Sequence, residues 1–304
     1  MTQGVAIRAR LTGQYRDDAH YPSATVNVTN HCNLTCRHCF IYRDGNPNEA
    51  PASIRAEMSD ADMLETLTAL RDRHGITSML WMGGEPLLKR RLLAAGQTLF
   101  ANNTITTNGT IPLPDFGPTT HYVVSLDGPE DLNDALRGEG VYRKVMRNLA
   151  RLPADFGSTV QVQCVVTRRN QHRLADIIAA LRASPVGWMT FTFYVPRHDD
   201  DSGDAWATNA ERAWAVEEVR RLKALHGGFI RNTTRSLDLM LPGLCEAVTA
   251  RCPTQTLVLP LWLEGDHFTT PYCCYGNDVD CSRCGAWVVF QLAGRLEAAG
   301  GPNA

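Results

Sequence analysis

The chain has 304 residues, enough for one large domain with a small appendage, and 44% of them are apolar. A formal net charge of -2 argues against a nucleic-acid partner held by bulk electrostatics. No apolar run approaches a membrane span, and Met1-Thr-Gln-Gly-Val-Ala-Ile-Arg8 has no signal-like hydrophobic stretch, so a cytoplasmic protein with no membrane partner is expected.

Hydrophobic alternation marks the first strand at Ala24-Thr-Val-Asn-Val-Thr29. Ser59-Asp-Ala-Asp62 is a helix start, with Met63, Leu64, Leu67 and Leu70 at helical spacing and Gly75 as the stop. Further strands are expected at Ile76–Met82, Thr104–Thr107, His121–Leu126, Thr159–Thr167 and Trp188–Val195. Helices are expected between them at Leu87–Phe100, Tyr142–Leu152, His172–Arg182 and Trp206–His226. Leu257–Leu263 and His267–Thr270 flank a Glu-Gly-Asp turn and read as a hairpin. Six strands alternating with helices imply parallel β/α units, in either an open doubly wound sheet or a barrel.

Nine of the ten cysteines fall in two zones, at 32–39 and 245–284, a usage that points to metal or redox work rather than disulfides. Cys164 stands alone in an apolar strand, as a buried inert thiol does. In the first zone Cys32, Cys36 and Cys39 follow the first strand as C-x3-C-x2-C. Three thiolates from one loop suit a cubane iron–sulfur cluster with one iron left open. A zinc site completed by His31 or His38 is the alternative.

Short motifs close the next strands: Gly83-Gly84-Glu85-Pro86, Thr107-Asn108-Gly109 and Ser125-Leu126-Asp127-Gly128, with Arg137-Gly138 and Val165-Val166-Thr167 downstream. Each alone reads as a turn. Two glycines let a backbone approach a ligand, and a neighbouring carboxylate could accept from an ammonium.

In this order, after C-x3-C-x2-C, they resemble the radical S-adenosylmethionine (SAM) superfamily over about 24–167. One departure is His38, where many members carry an aromatic residue. The resemblance implies an α/β fold, a partial (β/α)6 TIM-like barrel with its site at the C-terminal strand ends. It implies a [4Fe–4S] cluster on Cys32, Cys36 and Cys39, with SAM held near Gly83, Gly84, Glu85, Pro86, Asn108, Ser125, Asp127, Arg137 and Val166. A flavodoxin- or ferredoxin-like reductant follows from it.

The second zone places Cys252 before the hairpin, Cys273 and Cys274 after it, and the Cys281-Ser-Arg-Cys284 pair ahead of an apolar stretch. This resembles the twitch (shortened SPASM) domain with one auxiliary [4Fe–4S] cluster. It implies Cys252, Cys273, Cys281 and Cys284 as ligands, with Cys274 able to replace Cys273. Zinc is again the alternative. The implied domains are 1–235, the barrel with its N-terminal extension, and 236–304, the cluster domain.

Cys245 is left spare, either a packed thiol or a hydrogen-atom donor, with Cys274 the second candidate. Asp199, Asp200, Asp201 and Asp204 follow the sixth strand, with Glu130, Asp131 and Asp134 after the fourth. They form either a solvated acidic loop or a site for a cationic substrate. Size, a single auxiliary-cluster domain, the spare cysteine and the acidic loops resemble the aminoglycoside epimerases of neomycin biosynthesis. That resemblance implies carbon inversion in an aminosugar, in antibiotic biosynthesis. Rival expectations are a twitch-type dehydrogenase, a peptide-modifying maturase, for which the short N-terminal extension leaves little room, and a non-enzymatic iron–sulfur or zinc protein.

Overall fold

The computed structural model describes residues 10–14, 16–41 and 57–300, so the stretch Met1–Arg8 lies outside the described residues. The strands are β1 (Leu11–Gly13), β2 (Ser23–Asn27), β3 (Ser78–Met82), β4 (Asn102–Thr107), β5 (Thr120–Ser125), β6 (Thr159–Val166), β7 (Trp188–Phe193), β8 (Val258–Glu264) and β9 (His267–Thr270). The helices are α1 (Asp60–His74), α2 (Arg90–Gly96), α3 (Glu130–Arg137), α4 (Val141–Ala150), α5 (Leu174–Arg182), α6 (Asn209–His226), α7 (Thr234–Asp238), α8 (Cys245–Ala250), α9 (Thr254–Leu257) and α10 (Trp287–Ala298). Two compact units interleave along the chain: Met1–Val123, Pro153–Thr159 and Gln255–Asn277 form one, and Val124–Leu152, Val160–Thr254 and Asp278–Ala304 the other.

In the first unit the strands run in the order β1-β9-β8-β2-β3-β4-β5. β2 pairs in parallel with β3, Val26 opposite Trp81, and β3 in parallel with β4. Ala24, Thr25, Val26 and Asn27 are buried in succession, as expected of a parallel strand covered on both faces. The hairpin is antiparallel, and β8 joins the parallel sheet beside β2. β1, too short to read from the sequence, adds in parallel to β9.

α1 starts where Ser59 Oγ accepts the Asp62 N–H at 3.1 Å, and Met63, Leu67 and Leu70 face the core. Gly75 ends it in the left-handed conformation, its N–H returning to Arg71 O. The expected Leu87–Phe100 helix is instead a 3-10 turn at Pro86–Lys89, then α2, then a second 3-10 turn at Gln97–Leu99. Gly96 sits directly against the Trp81 ring, and a side chain there would have no room. Helix geometry yields to the buried indole, whose Nε1 donates to Asn103 Oδ1 at 2.9 Å.

In the second unit β6 and β7 are parallel, from Gln161 opposite Trp188 to Val166 opposite Phe193. α5 buries Leu174, Ile177, Ile178 and Leu181, an i, i+3, i+4, i+7 stripe. Asn232 serves β7 as a neighbouring strand would, accepting from Phe191 N and donating to Phe191 O, both at 2.8 Å. α3 was not expected. Its acidic residues go to local structure: Asp134 accepts the Gly140 and Tyr142 N–H groups, and Glu130 and Asp131 pair with Arg143 and Arg173. Among the described residues no helix is long and apolar enough to cross a membrane.

Candidate functional site

The first unit gathers three of the sequence motifs at the C-terminal ends of adjacent strands. Cys32, Cys36 and Cys39 rise from the loop after β2, all partly exposed, with Cys39 N–H bonded to Cys36 O. The Gly83-Gly84-Glu85 turn after β3 is laced to the start of that loop. Gly84 N donates to Thr29 O and Glu85 N to His31 O, both at 2.8 Å. Gly83 has φ +145°, and a Cβ there would stand 2.6 Å from Thr29 O. A second brace comes from Glu57, whose carboxylate accepts Thr29 Oγ1 and the Asn30 N–H, with Lys89 nearby at 3.7 Å.

Glu85 is fully buried and its carboxylate is spoken for. Oε1 accepts Thr107 Oγ1 and the Leu87 N–H; Oε2 accepts the Asn108 N–H. Burial pushes its pKa up to about 6 against these donors. The side chain thereby ties β3 to β4, with Thr107, Asn108 and Leu87 as its donors. Asn108 completes the frame. Its Nδ2 donates to Asn33 Oδ1 at 2.9 Å and reaches Cys32 Sγ at 3.8 Å, while Oδ1 accepts from Thr110. Asn33 and Thr110 bond to each other at 2.8 Å. The Cys32 thiol is pushed up to about 12, by burial first and then by Glu85, Cys36 and Cys39.

In the second unit Ser125 ends β5, partly exposed, and Val166 ends β6, buried with its carbonyl accepting Tyr194 N–H. Asp127 is 0% exposed and bonds Arg137 Nε at 2.7 Å and the Val165 N–H at 2.8 Å. Asn133 and Asn170 fix its backbone. Asp127 and Arg137 thus form a buried clamp at the ends of β5 and β6. Asp204, also 0% exposed, pairs with Arg169 Nε at 2.9 Å, and Asp200 caps its own turn through Ser202. Only Asp199 and Asp201 of the acidic loop remain exposed, Asp199 lying 3.4 Å from Arg197.

The Cys281-Cys284 pair sits on a 3-10 turn that Asp280 caps, pinned beside the end of β7. Phe193 N donates to Gly285 O at 2.9 Å, Asp280 N to Pro196 O, and Arg283 to Trp206 O. A Cβ on Gly285 would stand 2.6 Å from Tyr194 O. Cys252 lies close enough to Cys281 to raise that thiol's pKa, after burial, and contacts Thr254 Oγ1 at 3.0 Å. Cys245, 1% exposed, opens α8.

Cys273 and Cys274 belong to the first unit. There Cys273 Sγ accepts the Tyr275 N–H at 3.5 Å and Cys274 O accepts Trp262 Nε1. Cys252, Cys281 and Cys284 belong to the second unit. Among the described residues no three His, Cys, Asp or Glu side chains stand at the spacing of a single bound ion. In donor chemistry each cysteine group suits an iron–sulfur cluster, thiolate being its usual ligand.

Sequence reasoning missed Asn33, Thr110, Glu57, Arg212 and Glu246. A polar residue inside the C-x3-C loop and a threonine after Thr107-Asn108-Gly109 hinted at the first two, but only strand packing joins them.

A model of the Radical SAM superfamily matches residues 26–181. The chain is 26% identical over 219 residues to a pre-heme d1 synthase of Dinoroseobacter shibae, covering 68% of this chain and 52% of that protein. It is 30% identical over 209 residues to the mycofactocin maturase MftC of Mycobacterium tuberculosis, covering 65% and 51%. It therefore spans about half the length of these curated relatives. Among solved structures, Streptococcus suis SuiB bound to S-adenosylmethionine superposes with a TM-score of 0.60 at 16% identity, over 80% of this chain and 59% of that one. Native anSMEcpe with bound AdoMet gives 0.55 at 20%, over 73% and 67%. At these identities the structures share the fold.

Proposed function

The chain belongs to the radical SAM superfamily, and on that premise we propose that it inverts a carbon of an aminoglycoside-like substrate by hydrogen abstraction and thiol hydrogen return. The cluster on Cys32, Cys36 and Cys39, when bound, supplies the electron that cleaves SAM to the abstracting 5′-deoxyadenosyl radical. A flavodoxin- or ferredoxin-like protein is the proposed reductant. Gly83, Gly84, Glu85, Pro86 and Asn108 in the first unit, and Ser125, Asp127, Arg137 and Val166 in the second, are the residues proposed to hold SAM. Within the first unit Glu85 holds Thr107 and Asn108 in place, and within the second the Asp127–Arg137 pair holds Val165. Cys252, Cys273, Cys281 and Cys284 are the proposed ligands of an auxiliary [4Fe–4S] cluster in the 236–304 segment.

Cys245 carries the reading. A hydrogen donor must keep its S–H bond, and this thiol is buried beside the Glu246 carboxylate, which accepts a hydrogen bond from it. Burial first, then Glu246, pushes it up to about 11, so at neutral pH it is a thiol. Asp199 and Asp201 are what the acidic loop offers a cationic substrate. Cys274 is the second candidate donor.

A second reading, peptide modification, draws on the names of relatives: the maturase MftC and SuiB solved with a precursor peptide. The test is anaerobically reconstituted enzyme with SAM, reductant and separate panels of aminoglycosides and peptides in deuterated buffer. One new carbon-bound deuterium in an aminoglycoside product supports inversion. A product lacking two hydrogens means dehydrogenation, and turnover of peptides alone overturns the substrate class.

A further inference from the structure

Arg212 lies on α6, in the second unit, and is 2% exposed. Its Nη1 donates to the carbonyls of Cys284 at 2.6 Å and Arg283 at 3.0 Å, and its Nη2 to Met240 O at 3.3 Å. Among the described residues its Nε meets no acceptor. No carboxylate pairs with it within 4 Å among the described ion pairs, although Cys245, Cys284 and Glu246 are its electrostatic neighbours. Carbonyl dipoles, the Cys245 side chain and the Glu246 carboxylate stabilise this buried guanidinium, and further negative charge close to it would stabilise it more. The group placed to supply it is Cys284, whose carbonyl Arg212 already holds, with its partner Cys281 on the same turn.

Asn209, one turn earlier on α6, supports the same arrangement. Its Nδ2 donates to Glu246 at 2.8 Å and to Ser282 O at 2.9 Å, joining the Cys245 helix to the Cys281-Cys284 turn. Glu246 is in turn held by the Gly243 N–H. One helix face thus orders both cysteine segments, and the cation stands between Cys245 and Cys284.

We propose that Arg212 is the fixed counter-cation and positioning residue of a thiolate metal centre that includes Cys281 and Cys284. This rests on the auxiliary-centre reading above. When metal binds, the ligating cysteines become thiolates and add negative charge beside the guanidinium to that of Glu246. Where the centre is an iron–sulfur cluster, the same cation favours its reduced, more negative state and so raises its potential.

The test uses the full chain carrying Cys32→Ala, Cys36→Ala and Cys39→Ala, reconstituted anaerobically, with Arg212→Gln and Arg212→Lys added separately. Gln keeps donors for the carbonyls but loses the charge; Lys keeps the charge. Metal content is measured first, then extraction by a chelator, and for iron the midpoint potential by spectroscopic redox titration. The expected result is metal release at least about tenfold faster in Arg212→Gln, the loss of one charge-assisted contact. Arg212→Lys should stay near the parent, and any iron potential should move more negative in Arg212→Gln alone. Equal release and equal potential across the three proteins, or equal losses in both variants, overturns the counter-cation. Zinc in place of iron removes the cluster reading and leaves Arg212 judged on extraction; a parent that holds no metal removes both.

Discussion

The backbone N–H of Asn108 donates to Glu85 Oε2 at 2.8 Å, so one buried carboxylate joins the loop after β3 to the loop after β4. Through Asn108 this bond connects the buried carboxylate to the cysteine loop. Glu85 fixes Asn108, and Asn108 reaches both Asn33 and Cys32.

The first prediction concerns acid. Burial raises Glu85 from 4.5 to about 6, so the folded chain binds a proton more tightly than the unfolded one. Folding takes up that proton between those values, and this group's contribution to stability falls as pH rises through the window, then stays constant. The shift corresponds to about 2 kcal/mol. Urea unfolding of wild type and Glu85→Gln should show their stability difference move by about that amount against wild type from pH 4 to pH 7. A pH-independent difference would show that the donors from Thr107, Leu87 and Asn108 fully offset burial.

Gly83→Ala should disrupt the same frame from the other side. The substitution meets a φ of +145° and a Cβ 2.6 Å from Thr29 O, with backbone on both sides of the conflict. Strain at such a residue amounts to about 1–3 kcal/mol, and the turn must move away from the cysteine loop to relieve it. Thermal unfolding should fall by several degrees and equilibrium dialysis should find weaker SAM binding. Unchanged binding would separate this turn from the SAM site.

Much of this frame was legible in the chain. The strands at Ile76–Met82 and Trp188–Val195 were visible because apolar residues run together where parallel strands are covered on both faces. The helix from Ser59 to Gly75 was visible because both its ends are chemical signals. What could not be read is partnership. Nothing local distinguishes Asp204, paired with Arg169, from Asp201, which is exposed, since both stand in one acidic run. Arg212 reads as one more charge on a solvated helix until tertiary packing buries it. The hairpin was legible as a hairpin, but its place beside β2 depends on residues more than two hundred positions away.

Asp127 offers a test of clamp against contact. With its carboxylate bonded to Arg137 and Val165 N–H at 0% exposure, Asp127→Ala should lower stability by about 3–5 kcal/mol, the range for breaking a buried pair. Adding Arg137→Met should recover part of the loss, because the second change removes the stranded cation. Denaturant unfolding of the single and double variants checks this. If Asp127→Asn left stability intact while weakening SAM binding, the residue would be a ligand contact after all.

The last prediction separates two fates of a substrate radical. If Cys245 returns hydrogen, Cys245→Ala should still cleave SAM and still abstract hydrogen, because the buried thiol lies outside the loop carrying Cys32, Cys36 and Cys39. Inverted product should fall by at least about a hundredfold, the scale on which a missing proton or hydrogen partner shows in turnover. 5′-Deoxyadenosine should then form without matching product, and deuterium from solvent should vanish from the substrate carbon. Cys274→Ala should leave inversion intact, which rules on the alternative donor. Full inversion in Cys245→Ala would end the donor assignment. The buried thiol would then stand as packing beside Arg212, and a dehydrogenating or peptide-modifying enzyme would be the better reading of the same site.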